Sequence, residues 1–287
     1  MSRAANLIPY LSLIERTLPR SALEALTDCA GGLLYGLQKH RRCIVERNLH
    51  LLGLGMESER LARETIRNWA VCISDQLRSL WMTKVELLGM VDDEASRNLD
   101  AALRNQKGVV LITSHLGNYE LAGSWLAALG FPVHAVVEEI PGGHTDAMSR
   151  IRKRFGMKVI AESDTRAMMD VLRKGRILVL LADRCFRDGM TADFGLSRRR
   201  VPLGPALLSA RTGAIIQTGY FVLCGGKKRY RCRINPAMDV PAGGELRLRL
   251  RETTTRIVCE LLSAIVQYPS QWFVFQDEWE KNLTSGA

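Results

Sequence analysis

A chain of 287 residues, 47% of them hydrophobic, is long enough to bury a large core and too apolar to stay disordered. Its net charge of +10 suits an anionic partner, either nucleic acid or the anionic face of a membrane. No run approaches the roughly 18 uninterrupted apolar residues of a spanning helix, and the N-terminus lacks the apolar core and cleavage site of a secretory signal, so a cytoplasmic location is expected.

The first hundred residues read as mostly helical. Leu7, Ile8, Tyr10, Leu11, Leu13 and Ile14 form a loosely amphipathic apolar segment that ends at Pro19. Ser21 is placed to cap a second helix over Ala22 to about Leu37, apolar on most faces. A basic cluster follows at Lys39-His40-Arg41-Arg42, with Arg47 beyond it, and another helix is expected from Ser58 to about Met82. This section is either an ordinary helical subdomain with a solvated charged face or an interfacial patch, its apolar groups in lipid and its cations on head groups. Val91 to Asn105 reads as one more helix.

From Gly108 the rhythm changes to alternating strands and helices. Strands are expected at Val109–Thr113, Val133–Val137, Lys158–Ile160, Ile177–Leu181, Ala214–Tyr220 and Tyr230–Ile234. Helices are expected at Tyr119–Leu129, Thr145–Phe155, Asp164–Lys174, Pro205–Thr212 and Leu246–Gln267, with a loop over Pro236–Gly244. Such alternation predicts an α/β fold with its site at the carboxyl ends of the strands. The expected architecture is a central mixed sheet flanked by helices, with residues 1–105 as a helical, membrane-associating section and residues 106–287 as the core.

The chemistry concentrates at His115-Leu116-Gly117-Asn118-Tyr119-Glu120, directly after the first apolar strand. An imidazole takes a proton from a hydroxyl near neutral pH, and a nearby carboxylate holds the useful tautomer. Gly117 and Asn118 suit a tight strand-to-helix turn. The spacing alone is weak, and a locally packing His is about as frequent. Asp183-Arg184 also follows an apolar run, so it too lies at a strand end. Arg198-Arg199-Arg200 places three guanidinium groups just before a helix opened by Gly204-Pro205, an arrangement that attracts phosphate. Arg150, Arg152, Lys153 and Arg154 form a second basic run. Neither run interleaves with aromatics, and both phosphate-cradling glycine motifs are missing, so nucleic acid and nucleotide partners lack support. The seven cysteines are odd in number and lack a C-x-x-C pair, which predicts free thiols and no metal site. Cys185 lies near the site segments, but a small buried hydrophobe is its more frequent role.

These motifs resemble a known family. Ser114 to Leu121 is similar to the H-x-x-x-x-[DE] motif of the bacterial lipid A lauroyl/myristoyl acyltransferases and the related phosphatidylinositol mannoside acyltransferases. Leu180 to Arg184, Asp193-Phe194-Gly195, Val201 to Leu207, Arg211 to Ala214, the opening Arg42…Glu46-Arg47-Asn48-Leu49 and the closing Tyr268-Pro269-Ser270-Gln271-Trp272 match in the family's order, over roughly residues 35–280. The Gly117-Asn118-Tyr119 interior is closer to the mannoside acyltransferases. The resemblance implies transfer of a fatty acyl group from acyl-carrier protein or acyl-CoA to a hydroxyl of a membrane glycolipid, without a cofactor, at the cytoplasmic face of the inner membrane. The apolar N-terminal segments are short and broken, so peripheral attachment to an anionic surface is expected. By resemblance His115 is the general base and Glu120 its orienting acid or an acceptor-binding group. Arg152 holds a phosphate or developing charge, Asp183 and Arg184 line the cleft, and Arg198, Arg199 and Arg200 meet the phosphates. Asp193 is a second candidate partner of His115, and Asn118 either bonds the acceptor or caps the helix. Two other readings remain open: a non-catalytic membrane- or acidic-polymer-binding protein, and an acyl thioesterase. A serine hydrolase is disfavoured because the G-x-S-x-G elbow is missing.

Overall fold

The computed structural model describes residues 13–14, 16–94, 96–104, 106–138, 146–185, 189–225, 227–241 and 243–280. The expected segment from Leu7 to Leu11 lies outside these residues, and so does Thr145.

The chain opens with α1 (Arg20–Leu37) and α2 (Lys39–Leu49), then turns tightly through His50–Glu57 into α3 (Ser58–Arg78). Pro19, not Ser21, sits at the N-cap of α1, and no side chain caps it. On α3, Leu61, Ala62, Thr65, Ile66 and Cys72 are buried at helical spacing. The short α4 (Lys84–Gly89) is closed by a capping box between Thr83 and Glu86.

The helix expected over Val91–Asn105 is instead a strand and a shorter helix. β1 (Val91–Asp93) pairs in parallel with the distant β9 (Tyr230–Ile234). The Asp93 carboxylate then accepts the Ser96 N–H at 2.8 Å, just ahead of α5 (Ser96–Leu103). Pairing with a strand more than a hundred residues away overrides the local pattern.

The remaining core elements are β2 (Val109–Thr113), α6 (Tyr119–Leu129), β3 (Val133–Val137), α7 (Asp146–Arg154), β4 (Lys158–Ala161), α8 (Thr165–Arg173) and β5 (Ile177–Leu181). After these come β6 (Gly189–Phe194), β7 (Ser197–Pro202), α9 (Gly204–Thr212), β8 (Ile215–Leu223), β9 and α10 (Leu246–Gln267). Seven strands form one sheet in the order β1-β9-β8-β2-β5-β3-β4. The pairs β8–β2, β2–β5, β5–β3 and β3–β4 are parallel, and β8–β9 is antiparallel, so the sheet is mixed.

β2 is apolar throughout because it is covered on both faces. Val109 and Leu111 point into one core with Trp125, Leu126, Ile177 and Phe221. Val110 and Ile112 point into another with Leu172, Leu178, Ile216 and Leu261. A third core, built from Val45, Leu49, Ile66, Phe194, Trp272 and Trp279, seats the first helices against the C-terminal segment. Asn48 ties the two ends of the chain together: its amide donates to the Val274 carbonyl at 2.8 Å and accepts from the Trp279 indole at 2.6 Å.

The antiparallel hairpin β6–β7 stands apart from the main sheet. It changes the meaning of the Arg198-Arg199-Arg200 run, which lies on a strand rather than at a helix entrance. A strand alternates its side chains, so Arg198 and Arg200 face out while Arg199 is 0% exposed.

Candidate active site

β2 and β5 are neighbours in register, with Thr113 opposite Leu181. Two residues beyond each comes His115 and Asp183, so the register alone brings these side chains together past the strand ends. The backbone continues the pairing for one more step, Ala182 N–H donating to the Thr113 carbonyl at 3.0 Å. His115 Nδ1 lies 2.8 Å from Asp183 Oδ1. Asp183 Oδ2 accepts the His115 backbone N–H at 3.0 Å and the Trp272 indole N–H at 2.8 Å.

Asp183 is fully buried. Burial opposes its charge, but the His115 imidazole and the three hydrogen bonds outweigh that and hold the carboxyl down at about 2. An ionised carboxylate has no proton to give, so Nδ1 carries the hydrogen, and in the neutral imidazole Nε2 is the nitrogen with the lone pair. The His115 side chain remains 17% exposed and lines a cleft.

The turn that delivers His115 depends on Gly117. Its φ is +63°, and a Cβ there would lie 2.1 Å from the Phe221 carbonyl oxygen. That close approach lets Gly117 N–H reach Gln271 and Asn118 N–H reach Phe221. Phe273 N–H in turn donates to the His115 carbonyl at 2.7 Å.

The cleft, about 340 Å³, runs along the carboxyl ends of β2, β5, β3 and β4. Val136, Met168, Leu180, Leu181, Leu207 and Leu208 give it an apolar lining, Arg184 and Arg211 are its cations, and Glu138 and Glu162 are its carboxylates. Cys185 also lines it, as do Gly204 and Pro205 from the first turn of α9.

Several residues expected at the site have other partners. The carboxylate hydrogen-bonded to His115 is Asp183 and not Glu120. Glu120 instead grips Arg152 in a two-pronged pair, Nε–Oε2 at 2.9 Å and Nη2–Oε1 at 2.5 Å. Arg152 is only 8% exposed. Burial works against its charge, and the Glu120 hydrogen bonds and charge more than offset that, raising its pKa. Tyr119 adjoins both pairs. Its ring meets the His115 ring edge-on at 5.2 Å, and burial followed by the Glu120 and Asp183 charges pushes its hydroxyl pKa up.

Asn118 is fully buried and faces away from the cleft. Its Oδ1 accepts from Leu121 N–H, capping α6, and from Gln76, while its Nδ2 donates to the Cys72 carbonyl and the Tyr230 hydroxyl. An amide so fully engaged has nothing left for an acceptor lipid. Asp193 is 92% exposed and pairs with Arg198 at 3.4 Å, on the outside of the hairpin. Arg184 lines the cleft and donates to Glu278 at 2.9 Å.

Trp272 is the partner that local spacing could not announce, since 89 residues separate it from Asp183. The His115–Asp183 contact had a signal: two equal apolar runs, each followed after one residue by the functional side chain.

A family profile described as bacterial lipid A biosynthesis acyltransferase matches residues 7–281. A phosphatidylinositol mannoside acyltransferase of Mycobacterium tuberculosis (strain ATCC 25618 / H37Rv) is 27% identical over 194 residues, 65% of this chain and 59% of the relative. One of Mycolicibacterium smegmatis is 27% identical over 206 residues, 69% of this chain and 64% of the relative. The matched part therefore spans less than two thirds of the length of these relatives.

Proposed function

The chain belongs to the bacterial lipid A biosynthesis acyltransferase family, and from that premise we propose that it moves a fatty acyl chain from an acyl-carrier-protein or CoA thioester to a hydroxyl of a membrane glycolipid. The observation that carries this reading is the His115–Asp183 pair opening into an apolar cleft with cations among its lining residues.

A thioester is already activated, so the reaction needs a base, a place for the oxyanion and a groove for the chain. His115 Nε2 takes the proton of the acceptor hydroxyl as its oxygen attacks the thioester carbonyl. Asp183 stabilises the imidazolium that forms. Negative charge on the carbonyl oxygen falls to Arg184 and the first turn of α9, both of which line the cleft. When the tetrahedral intermediate collapses, the new C–O ester bond stays, the C–S bond breaks, and the thiolate leaves with the proton held on His115. The apolar lining takes the acyl chain.

Among the described residues no helix is long and apolar enough to cross a membrane. Exposed Leu26, Leu33 and Leu37 on α1 support peripheral attachment, and the net charge of +10 supports an anionic lipid surface at the cytoplasmic face of the inner membrane.

The test is thiol release from a long-chain acyl-CoA and from an acyl-carrier-protein thioester, with and without a bacterial lipid extract, followed by identification of the labelled lipid. Release that depends on lipid and yields an acylated glycolipid is the expected result. Equal release without lipid marks a thioesterase. No release from either donor, with binding to anionic vesicles retained, marks a binding protein.

A further inference from the structure

Arg199 is a fully buried guanidinium that the chemistry above does not use. It stands over three aromatic rings, 4.7 Å from the centre of Trp279, 5.2 Å from Trp272 and 5.6 Å from Phe194. Among the described residues its ion pair is Nη2 to Glu278 at 3.4 Å, and its Nε and Nη1 have no hydrogen-bond partner there. Burial works against its charge, with Asp183 and Glu278 opposing that loss. A cation kept dry with two unused donors is costly, and an apolar side chain of similar volume is often neutral or stabilising in such a place. Packing therefore does not account for arginine here.

What the guanidinium touches does. Trp272, one wall of its box, donates its indole N–H to Asp183. Glu278, its counter-ion, also accepts from Arg184, which lines the cleft. We propose that Arg199 is a positioning residue: by stacking on Trp272 and pairing with Glu278 it fixes the indole that holds Asp183, and through Asp183 the tautomer and aim of His115. This rests on the reading of His115 and Asp183 as the base and its orienting acid. Arg199 touches no substrate and acts only through these neighbours. The same contacts hold the C-terminal segment behind the site, through Trp272 on Asp183 and Glu278 on Arg184.

The test is Arg199→Met in the full chain, read by three measurements. These are thermal stability, kcat and KM for a long-chain acyl-CoA, and the downfield proton resonance of a His Nδ1–H bonded to a carboxylate, assigned with His115→Ala. The expected result is stability at or above wild type, kcat lower by about 10- to 100-fold, as for a small misplacement of a reacting group, KM within twofold, and the resonance lost or moved. A folded Arg199→Met protein with kcat and resonance unchanged overturns the proposal. So does a fall in stability and kcat together with an unmoved resonance, which is the mark of a merely structural residue. If Arg199→Met does not fold, Trp272→Phe keeps a ring in the box and removes only the indole donor. The same kcat loss and resonance shift are expected of it, and an unmoved resonance overturns the proposal. A wild type that transfers no acyl group, yet loses its resonance on Arg199→Met, contradicts the acyl-transfer reading and leaves the positioning role standing.

Discussion

Asn118→Ala separates a structural amide from a substrate-binding one. The side chain is 0% exposed and serves four partners: Leu121 N–H, Gln76, the Cys72 carbonyl and the Tyr230 hydroxyl. Truncation removes the cap of α6, worth about 1 kcal/mol. It also strands the Gln76 side-chain amide in the interior, at about 1–3 kcal/mol, while the Cys72 carbonyl keeps its bond within α3. Tyr230 suffers less, because its hydroxyl still donates to Asp75. The sum is roughly 2–4 kcal/mol, a sizeable share of the 5–15 kcal/mol that keeps a typical protein folded. At about 2 °C per kcal/mol for a large domain, Tm falls by roughly 4–8 °C. Differential scanning fluorimetry reads the shift, and steady-state assays on the folded fraction read KM for the acceptor, expected to stay within twofold. A variant with unchanged Tm and a raised acceptor KM would refute this reasoning and return Asn118 to the substrate.

Three further outcomes are expected. The Asp183 carboxyl is held at about 2, below the roughly 3.9 of an unfolded chain, so it contributes about 2–3 kcal/mol of stability above pH 4, lost as pH falls from about 4 towards 2. Comparing urea midpoints of wild type and Asp183→Asn should show a gap at pH 6 that narrows below pH 4, and a constant gap contradicts the linkage. Glu120→Gln and Arg152→Met each leave a mostly buried charge or dipole short of its partner, at up to about 3–5 kcal/mol. The double variant Glu120→Gln/Arg152→Met is expected to be less destabilised than the sum of the two, and simple additivity in that cycle sinks the pairing. Gly117→Ala puts a Cβ 2.1 Å from the Phe221 carbonyl at a φ of +63°. It is expected to lose activity through a displaced His115 as well as Tm, and wild-type values for both contradict the close approach.

The elements that could be read from the sequence were those with an unbroken apolar run, such as Val109–Thr113, or a clear period, such as Tyr230–Ile234, where buried Tyr230, Cys232 and Ile234 alternate with Arg231 and Arg233. Val109–Thr113, Val133–Val137, Ile177–Leu181 and Tyr230–Ile234 coincide with observed strands, and Tyr119–Leu129 and Leu246–Gln267 with observed helices. Central parallel strands must be apolar on both faces, so their pattern is unbroken. β1, β6 and β7 were missed for the opposite reason. Asp92-Asp93 and Arg198-Arg199-Arg200 look like solvated charge until a tertiary partner imposes a period of two. That period sends Arg199 alone into the aromatic core.

At the candidate site, His115 and Asp183 were visible separately as strand-end residues. Their contact follows from the β2–β5 register, which a single sequence does not state. Glu120 looked like the partner because it is near in sequence. In space, α6 turns it towards α7 and Arg152. The roles of Trp272 and Glu278 come entirely from the way the C-terminal segment folds back across the strand ends.

The central claim is that His115 Nε2 deprotonates the acceptor. The most direct measurement is a single-turnover assay with radiolabelled acyl-CoA and acceptor lipid in anionic vesicles, comparing wild type with His115→Ala matched for Tm and vesicle binding. The account predicts acylated lipid from wild type and a rate lower by about 10²–10⁴-fold in the variant, with donor binding intact. An acyl-transfer rate in His115→Ala within a few-fold of wild type would contradict it.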